Sequence, residues 1–119
     1  MAVAERHCAV AFGSQTRGSV LRPAAYNGVV GLKPTFGRVS RRGVIPVSWS
    51  LDHVGWMTRS VEDAAELYML LQGYDRDDSS THNNPDEHVQ AQLRRGVAGL
   101  RLGLPVSYTH LTLPPNREV

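Results

Sequence analysis

The chain has 119 residues, 41% hydrophobic and 20% charged, with a formal net charge of +2 and one cysteine, Cys8. That length allows one domain at most, and the composition is that of an ordinary globular protein rather than a disordered one. A lone cysteine excludes an internal disulfide, and no apolar run reaches the length of a membrane span.

Charge is unevenly spread. Residues 1–59 hold eight basic and two acidic side chains, whereas residues 60–95 hold three basic and eight acidic ones. Basic stretches can bind nucleic acid. Here the arginines are dispersed among glycines and valines without aromatic interleaving, which reads as a solvated surface with local ion pairs. The N-terminus lacks a basic stretch followed by an apolar one, so no signal peptide is expected, and the default compartment is the cytoplasm.

In chain order, Met1 to Ala11 is rich in alanine and valine. It suits the close of a helix and the entry to a strand, with Cys8 to Phe12 as the strand-like part. There follows Gly13-Ser14-Gln15-Thr16-Arg17-Gly18-Ser19, a run of small and hydroxyl residues read as a turn whose glycines permit backbone conformations closed to other residues. Two readings fit it. It is a polar turn with a capping serine, or its backbone N–H groups converge as an anion or oxyanion site with Ser19 exposed as a nucleophile.

Pro23 to Tyr26 suits a short helix that Gly28 stops. Val29 to Leu32 reads as a short buried strand or extended segment ended by Pro34. Phe36 to Met57, with turn signals at Gly37, Arg41-Arg42-Gly43, Pro46 and Gly55, reads as loops with short extended pieces. Ser60-Val61-Glu62-Asp63 is a capping arrangement, and Val61, Ala64, Ala65, Tyr68 and Leu71 recur at helical spacing. The spacing predicts a helix from Val61 to Gln72, with Leu67 and Leu70 widening its apolar stripe and Gly73 stopping it. Tyr74 to His88 reads as an exposed loop, Val89 to Arg95 as a short amphipathic helix, and Gly99 to Pro105 as a turn entering a strand.

His7, Cys8, His53, His82, His88 and His110 lack metal-ligand spacing, and there is no CxxC pair. His53 beside Asp52 permits a Ser-His-Asp triad with Ser19. The alternative is that Asp52 holds a loop through backbone hydrogen bonds.

Six segments together resemble the amidase signature family: the Gly13–Ser19 run, Arg22-Pro23-Ala24-Ala25, Gly28-Val29-Val30-Gly31-Leu32-Lys33-Pro34-Thr35, Gly37-Arg38-Val39-Ser40, Ser50-Leu51-Asp52-His53-Val54-Gly55 and Ser60-Val61-Glu62-Asp63-Ala64-Ala65. They come in the family's order and spacing over more than half of the chain. The resemblance implies an α/β fold, a mixed sheet covered by helices on both faces, incomplete here. It implies hydrolysis or transfer of small-molecule carboxamides by a Ser–cis-Ser–Lys arrangement without metal or cofactor, and no direct contact with nucleic acid or membrane. By motif position Ser19 is the nucleophile, and the backbone N–H groups of Thr16, Arg17, Gly18 and Ser19 form the oxyanion hole. The bridging serine and the lysine have no counterpart; the resemblance places both upstream of Met1. Lys33, the only lysine, is not at the catalytic position.

The chain departs from the family pattern at several positions. Gln15 stands where the family commonly has aspartate and Leu21 where it has the paired arginine, so both ion-pair partners are replaced together. Arg17 stands where glycine is usual, and Trp56 where proline is common. Trp49 and Trp56 are read as channel-lining or as half-buried packing. Residues 1–105 are expected to form a partial amidase signature domain. Residues 106–119 do not continue the pattern and read as a non-native tail of sequencing-adaptor type, the alternative being a divergent natural terminus. The rival functional readings are the glutaminase-type A-subunit of an aspartyl/glutamyl-tRNA amidotransferase and a catalytically inactive remnant of the fold.

Overall fold

The computed structural model describes residues 2–101. Its elements run β1 (Ala11–Gln15), α1 (Leu21–Tyr26), β2 (Val30–Leu32), β3 (His53–Thr58), α2 (Val61–Leu71) and one 3-10 turn at Gln90–Gln92. The strands form one sheet in the order β1-β3-β2, antiparallel at both pairings. Gly13 lies opposite Gly55, Gln15 opposite His53, and Gly31 opposite Met57.

Strand side chains alternate between the two faces of a sheet. Ala11, Gly13, Gly55, Met57 and Gly31 therefore share one face, and Val54, Trp56, Val30 and Leu32 share the other. The first face packs under α1, where Val3, Val20, Ala24 and Met57 form a buried cluster. The second packs under α2, where Val39, Trp56, Ala64 and Tyr68 form another. Helices on opposite faces of a sheet are the expected α/β arrangement. Among the described residues, however, the sheet is antiparallel throughout rather than mixed.

The largest departure is β3. It takes up the end of the stretch expected as loops with short extended pieces, and its central glycine is Gly55, expected as a turn signal. A Cβ on Gly55 would lie 2.6 Å from the Leu32 carbonyl oxygen and 3.3 Å from the Val20 methyls. The glycine therefore marks close backbone approach in the central strand, not a turn. β1 begins later than expected and runs on through Gly13, Ser14 and Gln15, because β3 pairs with it along its whole length. β2 is shorter than expected and only half-buried.

The remaining elements follow their local signals. Arg6 has φ 62°, and the His7 N–H to Ala2 carbonyl and Arg6 N–H to Val3 carbonyl bonds, 2.8 and 3.2 Å, form the Schellman pattern that closes a helix. α1 starts two residues before Pro23, and Gly28, at φ 63°, follows its cap residue Asn27. In α2 the Ser60 hydroxyl oxygen accepts from the Asp63 N–H at 3.1 Å. Gln72 caps the helix instead of extending it, and Gly73 follows at φ 140°. The covered face of α2 is narrower than its composition suggests: Ala64, Ala65 and Tyr68 are buried, but Leu70 is 79% exposed.

Residues 74–88 are mostly exposed, although Thr81 is buried with its hydroxyl shared between Asp75 and Asp78. The stretch expected as an amphipathic helix at 89–95 forms only the 3-10 turn. The basic and acidic parts of the chain meet in exposed ion pairs, Arg38 with Glu87 at 2.7 Å and Arg42 with Asp77 at 2.6 Å. Among the described residues no helix is long and apolar enough to cross a membrane. The strand expected after Gly99 and the tail at 106–119 lie outside the described residues.

Candidate active site around the Ser19 turn

Three glycines on the α1 face of the sheet form the floor of this region. A Cβ on Gly13 would lie 3.5 Å from Val20, and one on Gly31 would lie 2.7 Å from the Ala24 Cβ. With Gly55 they leave a shallow lane into which Val20 and Ala24 settle, both buried. This close seating fixes the start of α1, so the chain turns over between Gln15 and Val20. Ser19 lies exposed at the end of that turn, just before α1, while Gly18 beside it is buried.

The glycines do not act as the sequence suggested. Neither Gly13 nor Gly18 has a positive φ. They matter for the volume they leave empty: the Arg22 side chain folds over Gly18, with Nε 2.7 Å from where a Cβ would stand. Arg17 also keeps an ordinary φ, so it carries no left-handed strain. Arg17, Gly18, Leu21 and Arg22 line a shallow cavity beside Ser19.

Two buried side chains tie the turn. Gln15, 2% exposed, accepts from the N–H groups of Val20 and Leu21 through Oε1, both at 2.9 Å, and donates through Nε2 to the Arg17 carbonyl at 3.3 Å. A neutral amide both accepts and donates, so it closes the turn without a charged partner. This explains how Gln15 and Leu21 stand together. Asp52, 4% exposed, receives the Thr16 hydroxyl on Oδ1 and the N–H groups of Val47 and Ser48 on Oδ2, at 2.6 and 2.9 Å. The Thr16 hydrogen bond, then the Ser48 N–H, hold its carboxyl below the usual carboxylate range.

The N–H groups of Thr16, Arg17, Gly18 and Ser19 donate to no other group among the described residues. The first N–H beyond them that is engaged belongs to Val20. The turn is exposed at Arg17 and Ser19 and buried at Gly18; N–H groups without a protein partner are left to water or to a ligand.

His53 does not pair with Asp52. Its Nδ1 lies 2.6 Å from the Leu51 carbonyl oxygen and its ring stands edge-on to Phe36, while the Asp52 carboxylate is occupied by Thr16, Val47 and Ser48. Partial burial pulls the imidazole pKa down. The loop-holding role expected of Asp52 is the one observed. Lys33 donates through Nζ to the Pro34 carbonyl at 2.8 Å. Among the described residues no group of three His, Cys, Asp or Glu side chains is placed to hold a metal.

The two tryptophans separate. Trp56 is fully buried, and its indole N–H donates to the Ala64 carbonyl at 3.1 Å. Trp49 is 77% exposed and borders a cleft with Arg41, Val44, Pro46, Asp52 and Asp78. Arg41 holds that cleft's wall. It donates to the Trp49 and Asp52 carbonyls at 2.8 and 3.0 Å and to the Ser80 hydroxyl at 3.2 Å, and its guanidinium lies 4.7 Å over the Phe36 ring. Nothing in the sequence distinguishes Arg41 from Arg42. Gln15 carried only the indirect signal of a doubly replaced ion pair.

Comparison with known proteins gives a consistent picture. The Amidase family profile matches residues 1–118. The chain is 50% identical over 107 residues to the A-subunit of glutamyl-tRNA(Gln) amidotransferase from Akkermansia muciniphila, a match covering 90% of this chain and 23% of that protein. Among solved structures, peptide amidase from Stenotrophomonas maltophilia superposes with TM-score 0.68 and 51% identity over 74% of this chain and 18% of its own. The A-subunit of glutamyl-tRNA(Gln) amidotransferase from Thermotoga maritima superposes with TM-score 0.69 and 45% identity over 71% of this chain and 19% of its own. The chain thus spans less than a quarter of the length of these relatives.

Proposed function

The chain belongs to the Amidase family, and from that premise we propose that it carries the nucleophile segment of an enzyme cleaving carboxamide C–N bonds. In this reading the Ser19 oxygen attacks the carbonyl carbon of a small-molecule amide. The tetrahedral oxyanion takes hydrogen bonds from the N–H groups of Thr16, Arg17, Gly18 and Ser19. Collapse expels ammonia or an amine, protonated as it leaves, and forms an ester on Ser19. Water then cleaves the ester to the acid. No metal or cofactor takes part.

A serine hydroxyl is a weak nucleophile until a base lies within hydrogen-bond reach. None of the described residues forms such a contact with Ser19, and Lys33 is engaged with Pro34. The base is a lysine acting through a bridging serine, both supplied from outside these 119 residues. The 119-residue chain alone therefore has no measurable amidase activity. A single cysteine suits a reducing compartment, and the reading places the enzyme in the cytoplasm.

The observation that carries the proposal is an exposed Ser19 at the end of a turn that is tied from both sides yet keeps its own N–H groups free. The test is a chimera in which residues 8–73 replace the matching segment of the Stenotrophomonas peptide amidase. The chimera is expected to hydrolyse peptide amides, and Ser19→Ala is expected to lower kcat by about 10⁴ or more, as loss of a nucleophile does elsewhere. Full activity in the Ser19→Ala chimera contradicts the proposal.

A second reading, a glutaminase-type subunit that releases ammonia from glutamine for a tRNA amidotransferase, is favoured by the identity with the A-subunit of such enzymes. The same segment placed in the Thermotoga protein, with its partner subunits, distinguishes the two. Glutamine turnover there without peptide-amide turnover in the first chimera selects the second reading.

A further inference from the structure

We propose that Asp52 is a positioning residue for the Ser19 turn, tying the first residue of the proposed oxyanion cradle to the wall of the Trp49 cleft. The inference rests on the reading above, in which the N–H groups of Thr16 to Ser19 are catalytic donors.

The turn has a tie at each end, and the ties differ in kind. At the far end Gln15 binds Val20, Leu21 and Arg17, all within seven residues of itself. That tie is local and folds with the turn. At the near end the tie comes from Asp52, thirty-six residues away from Thr16 along the chain. Thr16 stands just past the last paired residues of β1 and β3, Gln15 and His53, so the ladder sets its backbone position only on one side. The Asp52 carboxylate supplies the constraint on the other side.

The same carboxylate faces the cleft. Its second oxygen gathers the N–H groups of Val47 and Ser48, and the residue's own carbonyl oxygen receives Arg41 Nη1, which also holds the Trp49 carbonyl. One buried residue therefore links four points: Thr16, Val47, Ser48 and the Arg41 guanidinium. Displacement of the 46–49 wall is passed to Thr16 through the three hydrogen bonds that meet at one carboxylate. A cradle of backbone donors works only when its geometry is set before the charge develops, and misplacement by about 1 Å can cost about a hundredfold in rate. Asp52 does not touch the reacting atoms. It acts through Thr16.

The experiment is a double-mutant cycle in the peptide-amidase chimera. Asp52→Ala removes the acceptor that Thr16, Val47 and Ser48 share. Thr16→Val removes the hydroxyl and keeps the shape, and Thr16→Ser restores it. Each of Asp52→Ala and Thr16→Val is expected to lower kcat about tenfold to a hundredfold with KM changed less than about threefold. The double variant is expected to fall no further than Asp52→Ala alone, because one link is broken twice. Thr16→Ser is expected to recover most of the rate. Active-site titration, by burst release of product, gives the fraction of folded enzyme and removes simple misfolding from kcat. The inference is overturned if either single variant keeps kcat within twofold per titrated site, if the two losses multiply, or if Thr16→Ser fails to recover activity. Failure of the amidase reading is seen separately, as activity that survives Ser19→Ala.

Discussion

The Ser19 turn and the 41–52 loop lie side by side, are both irregular, and are held by opposite means. The turn rests on a floor of Gly13, Gly31 and Gly55, with Val20 and Ala24 pressed into the space those glycines leave. The loop turns its apolar side chains outward: Ile45 is 91% exposed, Val47 86% and Trp49 77%. What fixes the loop is polar, the Arg41 guanidinium and the Asp52 carboxylate gathering backbone groups. A nucleophile turn needs fixed geometry, and packing against backbone gives it. A cleft rim needs an exposed apolar surface, which leaves hydrogen bonds as the means of holding it.

The contrast can be broken at graded cost. Gly55→Val places methyl carbons against the Leu32 carbonyl and Val20, and is expected to cost about 3 kcal/mol or more of native stability, read by chemical denaturation of the chimera. An equally stable variant would mean the glycine floor is not what seats α1. Gln15→Ala leaves the buried Val20 N–H without its acceptor and frees the partly exposed Leu21 N–H, and is expected to cost about 1–3 kcal/mol, with a lower kcat as the turn loosens. On the loop side Arg41→Ala is expected to cost about 1 kcal/mol, since its partners are partly reached by water. Its larger signature is faster proteolytic nicking within residues 41–51.

Acid sharpens the same comparison. Hydrogen bonds hold Asp52 (first from Thr16, then from Ser48) and Asp75 (first from Ser40, then from Asp77) below the usual carboxylate range. Their folded forms bind protons less readily than the unfolded chain. Their contribution is therefore complete above the ordinary carboxylate pKa of about 3.9 and lost as pH falls below it. Melting curves of the chimera and its Asp52→Asn variant are expected to converge as pH drops through that window. Parallel curves would remove Asp52 from the set of stabilising carboxylates. The smallest effect is expected at Ile45→Ser, within about 0.5 kcal/mol, since nothing covers that side chain.

What the sequence made legible was whatever is encoded over a few residues. The Ser60 cap, the Gly28 and Gly73 stops, and the apolar period of α2 all act locally, and all were placed to within a residue or so. β3 was not legible. Its central Gly55 carries the same letter as a turn glycine, and only the approach of Leu32 and Val20, distant along the chain, gives it a different role. For the same reason the letter of Gly13 suggests a torsional role, whereas the residue serves by its lack of volume. The order and spacing of the motifs pointed to Ser19 and its turn. The ties that hold the turn, Gln15 to Val20 and Asp52 to Thr16, became visible only with the sheet register.

The most direct test of the central claim is to trap the acyl-enzyme. The chimera, quenched in acid during turnover of an amide substrate, is digested and mapped by mass spectrometry. The account predicts one substrate-derived ester, on Ser19, absent from the Ser19→Ala variant. An adduct on Ser14 or Thr16 instead, or steady turnover with no adduct at Ser19, would contradict it.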